Sequence, residues 1–190
     1  PARAGTDDLF YRAAWRKSIG VVANPAVDRA PASWVIFADA NGAGVALASK
    51  LEAAGHHCHL VYRDDAFAQR GTRTWTVSER QPHDFRRLLE QFAASETLPC
   101  DGVIYLWGLD APAIEGLTLA RLKRGSEMMC RGALAILHAL AETRSTNPTG
   151  RRLWFVTANT QKTDGQDQHV DPVQAPLWGL GRTAAIEYPG

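Results

Sequence analysis

Short apolar runs alternate along this chain with longer segments in which apolar residues recur every three or four positions. The short runs predict strands, several of them buried on both faces of a sheet. They cover residues 33–38, 57–62, 73–77, 101–107 and 153–157. The periodic segments predict helices, which cover residues 43–54, 82–94, 117–143 and 175–189. Strands that alternate with helices predict an α/β fold, a mostly parallel sheet of about five strands with helices on both faces.

The sequence before the first of these strands differs in character from the rest. An apolar and aromatic segment at residues 9–17 alternates partly and predicts an isolated N-terminal strand. A loop with two prolines, residues 24–31, separates it from the body of the domain at residues 32–190. Residues 1–8 lack core-forming side chains and are typical of a linker.

Composition and charge exclude several classes of protein. Hydrophobic residues make up 45% of the 190 residues, which is enough for one packed core and argues against disorder. The net charge of +1 indicates neither a nucleic-acid partner nor an acidic tail. No apolar run approaches the roughly 20 residues of a membrane span, and the N-terminus lacks an apolar signal segment. Three widely spaced cysteines, Cys58, Cys100 and Cys130, argue against a disulfide framework and favour the cytoplasm.

A glycine pattern after the first buried strand is the main indication of a cofactor. Gly42 and Gly44 stand where a dinucleotide-binding turn has the first two glycines of G-x-G-x-x-G, but Leu47 occupies the third position. Arg63 or Asp64, about 20 residues further on, could contact a ribose or its 2′-phosphate. Arg63 and Asp64 are equally well explained as ordinary charged residues at the start of a loop. We therefore interpret the glycine pattern as structural and expect no bound cofactor.

Reductase chemistry needs a tyrosine that protonates the alkoxide and a lysine about four residues away that lowers the tyrosine pKa. None of the four tyrosines has that lysine. Tyr11, Tyr62 and Tyr105 are followed four residues later by Trp15, Ala66 and Leu109, and Tyr188 stands near the end of the chain. A Gly-x-Ser-x-Gly elbow and a cysteine nucleophile signature are also missing from the sequence. We therefore predict no catalytic residue in this chain.

Residues 56–59, which read His-His-Cys-His, form the densest set of potential metal ligands. In a strand, His57 and His59 share one face while Cys58 turns to the other, so a single ion cannot collect all three side chains. No second pair of ligands lies nearby in the sequence. We predict no metal site here.

Six tryptophans lie mostly in predicted strands, where burial in the core is their ordinary role. They stand at positions 15, 34, 75, 107, 154 and 178. Trp15 and Trp178 belong to terminal segments instead and are candidates for anchors on a neighbouring domain. Arg182 joins them, because the closing helix that carries it would lead towards the next domain.

Four segments together carry a family resemblance. They read LFYRAAW at residues 9–15, CDGVIYLW at 100–107, RLWFVT at 152–157 and APLWGLGRTAAIEYP at 175–189. The most specific element is LWGLGR at residues 177–182. In this order the segments resemble the structural, N-terminal and non-catalytic subdomain of ketoreductase domains in modular type I polyketide synthases.

The resemblance implies a truncated Rossmann-like fold that binds no cofactor and supports an adjoining catalytic ketoreductase subdomain. A pseudo-ketoreductase remnant with an architectural role fits it as well. The implied partner is that catalytic subdomain or another polyketide synthase domain in the same polypeptide, such as an inserted methyltransferase or enoylreductase. Two other functions stay open: an autonomous NADPH-binding reductase that uses Gly42, Gly44 and Arg63, and a docking module for a carrier protein or neighbouring domain.

Overall fold

The fold is described by a computed structural model, which covers residues 31–93, 100–112, 115–143, 151–161 and 170–188. Within these residues it contains six strands and four α-helices. The strands are β1 (Ser33–Phe37), β2 (His57–Arg63), β3 (Ala68–Gly71), β4 (Thr74–Val77), β5 (Cys100–Tyr105) and β6 (Arg152–Phe155). The helices are α1 (Ala43–Ala53), α2 (Pro82–Ala93), α3 (Leu119–Glu142) and α4 (Ala175–Glu187). The predicted linker at residues 1–8, the predicted strand at residues 9–17 and Trp15 lie outside the described residues.

The strands form one sheet in the order β3-β4-β2-β1-β5-β6. Every pairing is parallel except the one between β3 and β4. The central strand β1 is apolar on both sides because it faces two cores, with Val35 in one and Ile36 in the other. This arrangement confirms the predicted Rossmann-like, mostly parallel sheet.

Helices cover both faces of the sheet, as predicted. On one face, Ala48 of α1 packs in a small cluster with Ile36, Cys58, Ile104 and Leu106. The larger core lies on the other face and contains residues of α2 and α3 together with Leu177 of α4. The covering helices therefore divide into α1 on one side and α2, α3 and α4 on the other.

The predicted and observed elements differ in two places. Strand β3 was not predicted because it is mostly exposed and has no apolar run. It forms by antiparallel pairing with β4 across a tight turn, and the Thr76 hydroxyl donates a hydrogen bond of 2.9 Å to the Ala66 carbonyl oxygen. Strand β5 ends at Tyr105, before the predicted residue 107, since a 3₁₀-helix over Trp107–Asp110 turns the fully buried Trp107 ring into the core.

Local signals explain where the helices begin and end. Helix α3 begins after Thr118, whose hydroxyl accepts a hydrogen bond from the Arg121 amide at 3.3 Å. Helix α4 has Pro176 in its first turn, where a missing N–H costs nothing. Gly55, the predicted stop of α1, has a φ of +85° two residues after the helix. None of the described helices is long and apolar enough to cross a membrane.

Candidate functional site

The carboxyl ends of β1, β2, β4 and β5 meet at one edge of the sheet. Open α/β sheets bind their ligands just beyond the carboxyl ends of the strands, at the point where the connections from two neighbouring strands run to opposite sides. Here α1 leads from β1 to β2 over one face, while β5 lies on the other side of β1. Five side chains gather at this edge, and we call them the carboxyl-edge cluster: Asp39, Arg63, Glu79, Trp107 and Asp110.

The glycine turn has the backbone geometry that its sequence predicts. Gly42 has a φ of +93°, in the left-handed region that favours glycine. A Cβ on Gly44 would lie 2.7 Å from the Cβ of Ala38, so only glycine lets α1 approach β1 this closely. Leu47, at the third position of the pattern, is half-buried against the cluster on the α1 face. Both glycines thus have a structural role that is independent of any ligand.

The Asp39 carboxylate occupies the glycine turn. Its side chain accepts hydrogen bonds from the amides of Asn41, Ala43 and Gly44 at 3.1, 3.2 and 2.7 Å. Asp39 is only 2% exposed. Amides at the start of such a helix are the groups that bind phosphate in nucleotide-binding folds. In this chain the carboxylate of Asp39 accepts the hydrogen bonds of these amides instead.

Sequence reasoning did not identify Asp39 as a functional position. The signal that could have found it is an acidic residue placed between a buried strand and a glycine turn, within reach of the first helical amides.

Arg63 joins the ends of several strands. Its Nε lies 3.1 Å from Oε2 of Glu79, and its Nη1 lies 3.6 Å from Oδ2 of Asp110. The guanidinium also lies over the Trp107 ring, 4.7 Å from the ring centre. Asp110 in turn accepts a hydrogen bond of 2.8 Å from the Ala40 amide. Arg63 is therefore paired with two carboxylates of the chain, one of which, Asp110, links it to the segment before the glycine turn.

Asp64, the alternative ribose contact, points into an exposed network. It accepts hydrogen bonds from the Asp65 amide at 2.7 Å and from Arg70 at 3.0 Å. The Asp65 amide and then Arg70 hold the pKa of Asp64 below its usual range. A surface cleft of about 250 Å³ lies here, lined by Arg63, Asp64, Asp65, Ser78, Glu79 and Arg80. Three carboxylates face two arginines in this cleft, which disfavours a phosphate.

Tyr105 is a structural tyrosine in the larger core. Its hydroxyl donates a hydrogen bond of 3.1 Å to the carbonyl oxygen of Met129, and the side chain is fully buried. Burial raises the pKa of Tyr105 far above its usual value. The phenol lies close enough to α3 that a Cβ on Gly132 would be 2.5 Å from it. Tyr105 is therefore enclosed by protein and poorly placed to donate a proton to a ligand.

The side chains of the His-His-Cys-His segment separate to opposite faces of β2. Cys58 packs against α1, and burial raises its pKa to about 11. The His59 ring lies 4.5 Å from the ring of Phe92 in α2. His57 Nδ1 lies 3.3 Å from a guanidinium nitrogen of Arg73. Among the described residues, no group of three or more histidine, cysteine, aspartate or glutamate side chains could hold a metal ion.

The interface candidates on α4 are exposed. Trp178 is 39% exposed, and Arg182 also faces outward. The structure adds Ile186, which is 80% exposed on the same helix, and Trp154 of β6, which is 57% exposed. Trp154 was expected in the core because its strand is apolar. It is exposed because the described part of the sheet ends at β6.

Comparison with known proteins identifies relatives among polyketide synthases. The family model described as the Rossmann fold domain of the polyketide synthase extender module SpnB matches residues 74–190, more than half of the chain. Polyketide synthase GfsA of Streptomyces halstedii is 28% identical over 96% of this chain, and GfsB of the same organism is 27% identical over 93%. The chain spans only 2% of GfsA and 3% of GfsB.

Solved structures show the same fold. A keto acid-selecting NRPS module with adenylation, ketoreductase and pseudo Asub domains has a TM-score of 0.66 at 21% identity, over 85% of this chain and 13% of that one. A C2-type ketoreductase from a modular polyketide synthase has a TM-score of 0.56 at 24% identity, over 93% of this chain and 32% of that one. The chain therefore shares its fold with these ketoreductase-containing structures, and it belongs to the family of the Rossmann fold domain of the polyketide synthase extender module SpnB.

Proposed function

We propose that this chain is a non-catalytic structural subdomain of a polyketide synthase, which binds no cofactor and supports a catalytic ketoreductase subdomain or another modifying domain of the same polypeptide. The observation that carries the proposal is the Asp39 carboxylate, which accepts hydrogen bonds from three amides of the glycine turn. A pseudo-ketoreductase remnant would have the same architecture.

Electrostatics explains why this carboxylate opposes NADPH. A pyrophosphate at the glycine turn would bring negative charge next to a buried carboxylate. Two like charges about 4 Å apart repel by about 4 kcal/mol at an effective dielectric constant of about 20. A 2′-phosphate would also have to compete with Glu79 and Asp110 for Arg63. Both ends of a dinucleotide would therefore meet carboxylates of the chain.

The exposed side of α4 supports the scaffold part of the proposal. Trp178 and Ile186 leave apolar area open on this helix, and Arg182 lies between them in sequence. Aromatic and arginine side chains are enriched in protein interfaces. We include in the proposal the division into a linker at residues 1–8, a strand at 9–17 and a body at 32–190. A cytoplasmic location fits the free thiols of the three cysteines.

An NADPH titration tests this function. The chain should show no saturable change in tryptophan fluorescence as NADPH is added to millimolar concentration. It should also oxidise no NADPH in the presence of a β-ketoacyl thioester. Saturable micromolar binding or measurable turnover by the wild-type chain would refute the proposal and favour an autonomous reductase.

A matched pair of variants tests the stated reason. Asp39→Ser removes the negative charge from the turn but keeps an oxygen that can cap the helix. We expect it to bind inorganic pyrophosphate or NADPH more tightly than the wild-type chain. Asp65→Ser removes an exposed carboxylate nearby and serves as the control. Equal affinities of the two variants would exclude Asp39 as the residue that closes the turn.

A further inference from the structure

Three hydrogen bonds hold the backbone at the point where the chain enters β1. The Ala32 carbonyl oxygen accepts a hydrogen bond of 2.8 Å from the His57 amide at the start of β2. The Ser33 amide donates one of 2.8 Å to Oδ2 of Asp101 on β5. The Ala32 amide donates the third, of 3.1 Å, to Nδ1 of His56. Two of the three hydrogen bonds at this entry therefore depend on ionisable side chains.

The hydrogen bond from Ala32 determines which nitrogen of the His56 ring carries the proton. An imidazole nitrogen accepts a hydrogen bond only while it has a free lone pair, and both nitrogens of a protonated ring are donors. The donor here is a backbone amide, so Nδ1 of His56 is the acceptor. The ring is therefore neutral in this arrangement, with its proton on Nε2.

The end of α1 fixes the backbone that carries this ring. The Gly55 amide donates a hydrogen bond of 3.0 Å to the Glu52 carbonyl oxygen, and the His56 amide donates one of 3.0 Å to the Leu51 carbonyl oxygen. This pair of bonds is the Schellman motif that ends many helices. The His56 side chain is half-buried. Because its backbone is held by α1, the ring connects the end of α1 to the entry of β1.

The neighbouring charged groups are already engaged with other partners. Asp101 of β5 accepts the hydrogen bond from the Ser33 amide. Arg73, at the start of β4, pairs with Glu52 of α1 at 3.2 Å and lies 3.3 Å from Nδ1 of His57. The ion pairs found among the described residues do not include His56. The contact that the described structure gives the His56 ring at Nδ1 is thus one that only the neutral form can make.

We propose that the hydrogen bond between His56 and Ala32 is a proton-sensitive switch at the entry to β1. The neutral ring holds the Ala32 amide, and a proton on Nδ1 removes the acceptor and releases that amide. Unperturbed histidine side chains take up a proton near about pH 6.5, so mild acid operates the switch. It lies at the amino ends of β1 and β2, away from the carboxyl-edge cluster. The inference therefore does not depend on the proposed function.

Amide hydrogen exchange in the 190-residue chain tests the switch. Protection factors are measured at pH 7.5 and pH 5 and corrected for the intrinsic exchange rate at each pH. We expect the protection factor of the Ala32 amide to fall by about fivefold at pH 5, the factor that corresponds to one ordinary hydrogen bond. The Ser33 amide, which bonds to a carboxylate instead of an imidazole, is the internal control and should change little.

A set of variants separates the acceptor from the proton. His56→Asn offers an amide oxygen near the position of Nδ1 that does not titrate, whereas His56→Ala removes the acceptor. We expect the protection of Ala32 to be independent of pH in both variants, high in His56→Asn and low in His56→Ala. His138→Asn replaces an exposed histidine of α3 and is the control. It should keep the pH dependence of the wild-type chain.

Several outcomes would overturn the proposal. Equal protection of Ala32 at both pH values in the wild-type chain would show that the bond does not respond to protons. A pH dependence that persists in His56→Asn would assign the response to another group. Nitrogen-15 NMR of the wild-type ring gives a readout that needs no variant: at pH 7.5 Nδ1 of His56 should have the chemical shift of an unprotonated nitrogen. A proton on Nδ1 at that pH would contradict the switch.

Discussion

The guanidinium of Arg63 lies over the indole of Trp107, 4.7 Å from the ring centre, and joins the end of β2 to the segment after β5. The same guanidinium pairs with Glu79 after β4 and with Asp110, which binds the Ala40 amide after β1. One cation thus connects four strand ends at the edge where open α/β sheets bind their ligands.

Replacing Arg63 should destabilise the fold. Arg63→Met leaves the partly buried Glu79 and Asp110 without a positive partner and is expected to lower the free energy of unfolding by about 2 kcal/mol. Urea denaturation measures the change. Arg70→Met, which breaks the exposed pair with Asp64, is the control and should have no measurable effect. Equal midpoints for the Arg63→Met and wild-type chains would contradict the connecting role.

Removing the Asp39 carboxylate should destabilise the start of α1. Asp39→Ala leaves three amides of the turn without their acceptor and is expected to cost about 2 kcal/mol. Asp39→Ser should cost less, because a hydroxyl can accept one of these hydrogen bonds. Thermal unfolding of both variants checks the order. A Ser variant less stable than the Ala variant would speak against capping.

Two glycines in helices should respond in opposite directions to alanine. At Gly44 a Cβ would meet Ala38 at 2.7 Å, so Gly44→Ala is expected to cost about 2 kcal/mol through overpacking. At Gly179, in α4, a Cβ would meet nothing within 4 Å. Gly179→Ala should therefore stabilise the chain by about 0.5 to 1 kcal/mol through helix propensity. Urea midpoints that shift in the same direction would disprove this assignment.

Alkaline pH should destabilise the fold through a buried thiol. Burial raises the pKa of Cys100 from 9.0 to about 11. Above pH 9 the unfolded chain loses this proton while the folded chain keeps it, so the free energy of unfolding falls with pH until the folded thiol titrates near pH 11.

In Cys100→Ala, the free energy of unfolding should fall less steeply between pH 8 and pH 10 than in the wild-type chain. Urea denaturation at pH 8, 9 and 10 would detect the difference. The half-buried Cys130 provides the control variant, Cys130→Ala, whose decline should stay closer to that of the wild-type chain. An unchanged slope in Cys100→Ala would assign the decline to other groups.

The order of strands and helices could be predicted because the central strand β1 is an apolar run that indicates burial on both faces, and the helices repeat their apolar residues every three or four positions. Strand β3 could not, since its backbone pairing with β4 and its hairpin turn leave no apolar pattern. The position of Gly42 and Gly44 also followed from the sequence. The pairing of Arg63 with Glu79 and Asp110 did not, because these residues are distant in the sequence and meet only when parallel strands align their ends.

The Asp39 carboxylate also bears on how the domain depends on its surroundings. A Rossmann domain that binds NADPH is stabilised in proportion to the logarithm of cofactor concentration once its site begins to fill. In this chain the anion that closes the turn is covalently attached, so its local concentration never changes. Under the proposed function, the glycine turn is held in the same way at any concentration of reduced cofactor, and the free energy of unfolding of the domain does not depend on that concentration.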